Sequence, residues 1–475
     1  INHMFFHGTC YSFEDAEWPG WLFYASTQIN NRNPLYREMP TLFKYIERSQ
    51  TVLQESKMGN DILIYWPYYD VAASEGRLFN HLGVNKDAGW FMKHPIAGLS
   101  EELRKAGYTF DYISDKQLLD CELLNGEIVT SGKSNYKAVI VPKTEYIPVE
   151  TMKQLAKFIA DGGKVYFDEF LPKSVPGMAN LEEREQLLEN IKSSVSTEIL
   201  VGNVGELLLA NNVAGEQSLS GKGFHFLKMK KNNEDWYMVF NTGLEMKDEW
   251  VELQSPAKSY VFLNPMNGEI SKADKKGKSI RIQLDTEQSV FIRCVEKSID
   301  APDFAYEESE SNLIEIGALW KVEFLEGGPV YPGNLQMDDL VSWTNAGDHE
   351  TKRFAGTVKY STEFNWSQKS ASGILNLGDV KDCARVYLNE KELGTLLGPV
   401  FKIKVENLIE GNNKLEIEVS NVAANRIRDL DKRGVVWRNF HDINLVNIEY
   451  EPFDASEWEI KDAGLLGPVT LLNLN

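Results

Sequence analysis

Apolar and polar positions change their rhythm along the chain, and each rhythm predicts a different kind of structure. In residues 1–9, INHMFFHGT, strict alternation puts His3, Phe5 and His7 on one face of an extended segment and Met4 and Phe6 on the other, which predicts a buried strand. Residues 41–54 follow Pro40 and space Leu42, Tyr45, Ile46, Val52 and Leu53 as one helical stripe. Strand, long loop and helix make one β/α unit. From Asp61 onward, short continuous apolar runs at 62–66, 108–113, 138–142 and 165–167 alternate with helical patterns at 97–106 and 149–161, the latter stopped by Gly162-Gly163. Such runs, buried on both faces, predict a doubly wound parallel sheet, a flavodoxin-like architecture, that closes near Asn212.

Beyond Gly221 the helical period disappears. Runs rich in aromatic and β-branched residues at 224–227, 236–241, 260–263 and 289–292, separated by Asn-Gly and Lys-Gly turns, predict a small antiparallel β domain. The acidic stretch DAPDFAYEESE reads as a linker. Strands at 358–364, 373–377, 384–388 and 414–419 then fit a jelly-roll sandwich. The predicted organisation is multidomain α/β plus all-β, with segments 1–58, 59–212, 213–300, a linker at 301–312, and 313–475.

Charge narrows the partners. Lys and Arg number 50 against 70 Asp and Glu, a net charge of -20, which disfavours nucleic acid and anionic membranes. No run approaches the roughly 18 apolar residues of a membrane span. The four cysteines, Cys10, Cys121, Cys294 and Cys383, fall in four different segments without a C-x-x-C, so neither a disulfide scaffold nor a structural zinc site is supported. A neutral substrate fits better.

The opening β/α unit carries the candidate chemistry. A barrel of eight such units works from the C-terminal ends of its strands and needs roughly 200–250 residues. Residues 1–58 supply one unit, so they are expected to be the last β/α unit of a (β/α)8 barrel built mostly by residues outside this chain. His7, at the strand's end, and His3, on the same face, would look inward, and the aromatic loop after them offers Trp18, Trp21 and Tyr24 as walls of a sugar pocket. Satisfied core histidines, and a loop simply packed on a rim, fit the same pattern equally well. The histidines stand roughly 13 Å apart on a strand, too far to share one metal. Glu14, Asp15 and Glu17 lie in the same loop.

Elsewhere the signals are weaker. Asp168 and Glu169 follow the fourth strand of the parallel sheet, yet no phosphate-binding glycine motif accompanies them, and Cys121 sits among acids that raise its pKa, so this domain reads as structural. Residues 421–437, NVAANRIRDLDKRGVVW, crowd Asn425, Arg426, Arg428 and Asp429 with Asp431, Lys432 and Arg433. Arg beside Asp suits bidentate binding of a polar ligand, and it suits equally a salt-bridge network pinning a long loop.

The opening INHMFFHGTCYS with WPGWLFYAS, and the closing ANRIRDLDKRGVVW with HDINLVNIEYEPFDASEWEIKDAGLLGPVTL, resemble glycoside hydrolase family 106, bacterial α-L-rhamnosidases, as the C-terminal portion of a longer protein. The resemblance implies an amidotransferase-like middle, a galactose-binding-like sandwich at the end, and an oligo- or polysaccharide substrate bearing terminal α-L-rhamnose. It further implies an inverting mechanism in which one carboxylic acid protonates the leaving oxygen, a carboxylate activates water, and calcium holds the sugar. Those groups would lie upstream, so no catalytic residue is assignable here, the metal ligands are unknown, and the chain alone is expected to be inactive without the remainder of its polypeptide. A periplasmic or secreted location follows from the same resemblance. The competing readings are a non-catalytic carbohydrate-binding or assembly module, and an exo-glycosidase for a different sugar.

Overall fold

The computed structural model describes residues 2–9, 11–22, 28–74, 89–307, 313–317, 319–368, 371–437, 449 and 451–473. The chain forms two compact units, Thr51–Ala305 and Ile1–Gln50 with Tyr306–Asn475. The stripe read at 41–54 becomes helix α1 (Met39–Glu55).

Within Thr51–Ala305, the apolar runs become β1 (Ile62–Tyr65), β2 (Phe110–Ile113), β3 (Ala138–Val141) and β4 (Val165–Asp168), joined by a strand no pattern announced, β5 (Leu200–Gly202). All pair in parallel in the order β2-β1-β3-β4-β5. Every residue of β1, β3 and β4 is buried, because helices such as α2 (Pro95–Lys105) and α3 (Val149–Ala160) cover a parallel sheet on both faces. Three residues are too few for β5 to show a period. The β domain of this unit contains β6 (His225–Lys231), β7 (Glu234–Phe240), β8 (Ser259–Leu263) and β9 (Ser289–Val295), paired antiparallel in the order β6-β7-β9-β8.

An ion cluster lies inside this unit. Lys228 Nζ approaches Glu216 Oε1 at 3.3 Å and Asp61 Oδ2 at 3.7 Å, and the Glu216 carboxylate also accepts from the Tyr237 hydroxyl (2.7 Å) and the Gln254 N–H (2.8 Å). Lys228, Glu216 and Asp61 are 7%, 1% and 5% exposed, so these partners replace water almost completely.

The other unit packs two main sheets over one core, beside a two-stranded ladder of Asp379–Lys381 with Gly464–Gly467. The larger includes β10 (Trp320–Gly328), β11 (Ala355–Trp366), β12 (Cys383–Leu388) and β13 (Gly411–Ser420), with β11 pairing β13 from Thr357↔Ser420 to Trp366↔Gly411. The smaller has the order Leu313–Glu315, Thr470–Asn473, Ser372–Asn376, Lys402–Glu406. Trp320, Trp343, Tyr360, Leu375, Ile417 and Leu471 fill the space between, and alternation of buried and exposed residues along β13 is what one sheet face against a core requires.

Two expectations are corrected here. Residues 2–9 form no strand, and Phe5 is 85% exposed. Alternation alone does not make a strand: the ladder needs a neighbouring chain, and the described residues pair none with this segment. Its side chains still follow the alternation, since the His3 and Phe5 rings stack at 4.7 Å, while Phe6 meets Phe43 of α1 edge-on at 5.4 Å. The second correction concerns 421–437, read as a long loop. It contains helix α4 (Ala424–Lys432), which buries Ile427 and Leu430 on one side and aligns Arg426, Asp429 and Arg433 at three- and four-residue spacing on another.

Candidate functional site

The aromatic loop is held in shape by its own polar groups. The Trp21 N–H donates to Ser12 Oγ (2.8 Å), and Gly20, at φ +91°, passes so close to Ser12 that a side chain would collide with the hydroxyl. Arg32 donates to the carbonyls of Ala16 (2.6 Å) and Phe13 (3.4 Å), and Asn30 Nδ2 donates to Thr9 Oγ1 (2.8 Å). Phe13 meets Trp21 edge-to-face at 4.9 Å.

This loop is bolted to α4 and to the paired ends of the interior strands β10 and β11. Trp18 Nε1 donates to the Ala355 carbonyl at 2.9 Å, and its ring lies where any side chain at Gly328 would stand, 3.0 Å from Cγ. Arg426, wholly buried, donates through Nε to the Trp18 carbonyl (2.8 Å), through Nη2 to Glu17 Oε2 (2.7 Å) and through Nη1 to Asp429. Arg433 adds a second fork, with Nη2 on Glu17 (2.6 Å) and Nε on Asp429 (3.1 Å), and Arg353 lies 3.5 Å from Asp429 while pairing with Glu350 at 2.8 Å. Three guanidiniums thus meet three carboxylates. The Arg433 hydrogen bond, against some burial and with help from Arg426, holds the Glu17 carboxyl below its ordinary range; burial pulls the Arg426 guanidinium below its ordinary value, opposed by Glu17 and Asp429. Leu22 joins Ile427, Leu430, Trp437 and Ala455 in an apolar cluster beside this network.

Between the loop and the start of α4 lies a cavity of about 210 Å³, lined by Pro19, Trp21, Leu22, Asn30, Arg32 and Val422 among others. Pockets for drug-sized ligands span roughly 300–1,000 Å³, so this one has the scale of a single small ring. Around Arg37 a further set of contacts fixes the start of α1 to the same sheet. Arg37 pairs with Glu418 at 2.8 Å, and Arg385 donates to the Arg37 carbonyl (2.8 Å) and lies 3.5 Å from Glu38, whose burial raises its pKa against the pull of Arg385.

The sequence-predicted residues are therefore distributed as follows. Trp18 and Trp21 lie on the loop, Trp18 engaged with the start of β11 and Trp21 on the cavity; His3 and His7 are exposed in the segment before it, and Tyr24 lies outside the described residues. Arg426 and Asp429 come together in the ion network. Asn425 instead clips the chain at Lys461 through two hydrogen bonds of 2.8 Å, and Arg428 donates to the Trp458 carbonyl. Glu350, Arg353, Arg32 and Asn30 were not anticipated, and no local signal connects Glu17 with an arginine more than 400 positions away. Asp168 is buried, which raises its pKa against Lys143, and Glu169 pairs with Lys143 at 2.7 Å. Burial first, then Asp120, pushes the Cys121 thiol up to about 11, and Cys121, Cys294 and Cys383 are free thiols.

Among the described residues no group of three His, Cys, Asp or Glu side chains is placed to hold a metal, and no helix is long and apolar enough to cross a membrane. Glu17 and Asp429 do not fit a calcium ion. Their oxygens already accept from guanidinium N–H groups, whose positive charge would repel a cation, whereas calcium takes six to eight oxygens of its own.

The family model described as alpha-L-rhamnosidase, glycoside hydrolase family 106, matches residues 1–273. Over 96% of its length the chain superposes on 43% of the rhamnosidase from Novosphingobium sp. PP1Y, with a TM-score of 0.72 and 18% identity, a likeness of fold. Two curated proteins are also similar: a "Putative beta-glucuronidase" of Formosa agariphila, 23% identical over 57% of this chain and 22% of that protein, and a "Beta-1,2-glucosyltransferase" of Ignavibacterium album, 23% identical over 36% of this chain and 24% of that protein. The chain spans about a quarter of the length of these curated relatives. The family model covers more than half of the chain, from the aromatic loop through the parallel sheet, and the chain belongs to the alpha-L-rhamnosidase family, glycoside hydrolase family 106.

Proposed function

We propose that this chain is part of an enzyme that hydrolyses terminal α-L-rhamnose from an oligo- or polysaccharide. The observation that carries the reading is the family match across residues 1–273, which includes the loop bearing Trp18 and Trp21. In this reading the acid and base of an inverting mechanism, and the calcium that orients rhamnose, are supplied by residues outside this chain, and the remainder of the polypeptide is its obligatory partner. That placement is consistent with the chain matching 43% of the solved rhamnosidase. The chain's own residues bind and exclude water. Trp21, on the cavity, offers its ring to an apolar sugar surface and Trp18 anchors the loop, while His7, His3 and Tyr24 stand as substrate-binding candidates from the sequence alone. The closing sheets are a jelly-roll, galactose-binding-like domain, residues 1–58 end a (β/α)8 barrel, and the protein acts in the periplasm or outside the cell.

The likeness to the Formosa agariphila protein favours a second reading, an exo-glycosidase for a different sugar. Incubating the full-length protein and this chain with chromogenic α-L-rhamnoside and β-glucuronide, with and without a calcium chelator, separates them. Rhamnoside cleavage by the full-length protein alone, abolished by chelation, is expected. Cleavage of only the glucuronide transfers the assignment to the second reading, cleavage of neither leaves a carbohydrate-binding module, and cleavage by this chain alone refutes the upstream placement of the catalytic acids.

A further inference from the structure

We infer that Arg426 is a positioning residue for the sugar wall, setting the width of the cavity beside Trp21 without lining it. The inference rests on the rhamnosidase reading. One wall of the cavity is the loop, through Pro19, Trp21 and Leu22; the facing wall is Val422 and Ala423, immediately before α4. Arg426 stands three residues beyond Ala423 and holds the loop at Glu17 and at the Trp18 carbonyl, two and one residues before Pro19. The two walls are thereby tied through a buried guanidinium that alone reaches the Trp18 carbonyl, while the more exposed Arg433 adds a second hold on Glu17. Its planar fork matters more than its charge. Three nitrogens face three different acceptors, the Trp18 carbonyl, Glu17 and Asp429, and an ammonium at that depth reaches only some of them.

A packing role alone predicts lost stability with unchanged substrate affinity, whereas a positioning role predicts a loss of affinity that charge does not rescue. The wall binds ground state and transition state alike, so its displacement raises KM and leaves kcat nearly intact.

The test uses the full-length enzyme and a chromogenic α-L-rhamnoside, with Arg426→Lys and Glu17→Gln. Arg426→Lys is expected to raise KM about ten-fold, the equivalent of one charge-assisted hydrogen bond, with kcat within about two-fold of wild type; Glu17→Gln, which leaves the Trp18 contact, raises KM about three-fold. Amide hydrogen exchange is measured on the same proteins. Faster exchange confined to residues 11–22, with β11 and β13 unaltered, is expected for Arg426→Lys. Wild-type KM in both variants overturns the inference even if their melting temperatures fall. Should wild-type enzyme release no rhamnose, the functional reading fails rather than the positioning, and exchange then decides: unaltered exchange at 11–22 in Arg426→Lys overturns it.

Discussion

Two ion clusters in this chain each pair a buried cation with carboxylates and are enclosed differently. The cluster at Lys228, Glu216 and Asp61 has all three groups buried, with solvent reached through Lys137 on the outer oxygen of Asp61 at 2.8 Å, and its Glu216 carboxylate is also hydrogen-bonded by Tyr237 and a backbone N–H. The cluster at Arg426 has a buried cation whose partner Glu17 is 42% exposed on its side chain and sits on a loop. A sealed cluster is committed, since every broken contact leaves a charge without water. A cluster open at one end lets water replace the departing partner, so it ties a loop to a scaffold at modest stability cost. The difference assigns the first to the integrity of the fold and the second to the placement of the loop that carries Glu17 and Trp18.

Removing Glu216 breaks that comparison most severely. Glu216→Ala leaves Lys228 buried with Asp61 at 3.7 Å and strands the Gln254 N–H, while the Tyr237 hydroxyl keeps only Ser255, so a loss of about 3–5 kcal/mol is expected. Urea unfolding followed by circular dichroism measures it. A loss below that of Arg426→Ala contradicts the ranking by enclosure.

Arg426→Ala comes next, at about 2–3 kcal/mol, because Asp429 keeps Arg433 and Arg353 and Glu17 keeps Arg433, while the Trp18 carbonyl loses its donor. Glu17→Gln is the mild case. Its carboxylate is half-open to water, so less than about 1 kcal/mol is expected, and the effect shrinks further in high salt. An effect of Glu17→Gln equal to that of Glu216→Ala refutes the assignment of roles.

How far these clusters were legible follows from where their partners lie. The parallel sheet announced itself, since 62–66, 138–142 and 165–167 are continuous apolar runs and only burial on both faces tolerates them. Alternation misled at residues 2–9, because a period says which faces a segment has and not whether another strand will pair with it. In α4, helical spacing of Arg426, Asp429 and Arg433 was visible, and the crowding of charge obscured it as a loop. The contacts that give the site its form were beyond reach. Glu17 finds Arg426 only because the sheet of β10, β11 and β13 folds between them in sequence, and Lys228 finds Asp61 across a whole parallel-sheet domain. Local patterns report periodicity, whereas ion partners separated by hundreds of residues depend on topology.

The smallest expected effect is also the sharpest on the difference between the clusters, because the two titrate at opposite ends of the pH scale. Glu17 has its pKa lowered in the folded chain, chiefly by the Arg433 hydrogen bond. Its contribution is therefore complete above the ordinary value of 4.5 and lost as pH falls through the lowered one. Lys228 is the reverse. Burial alone would lower its pKa, but Asp61 and Glu216 raise it, so its contribution is complete below the ordinary 10.5 and lost as pH rises through the raised value. Melting curves of wild type, Glu17→Gln and Lys228→Met check both signs. The gap between wild type and Glu17→Gln should narrow as pH falls from 4.5 through the lowered value while that for Lys228→Met persists, and only the latter should narrow as pH rises beyond 10.5. A Glu17→Gln gap that does not narrow on acidification means the loop is held by the Trp18 carbonyl and packing, and the open ion pair contributes nothing to its place.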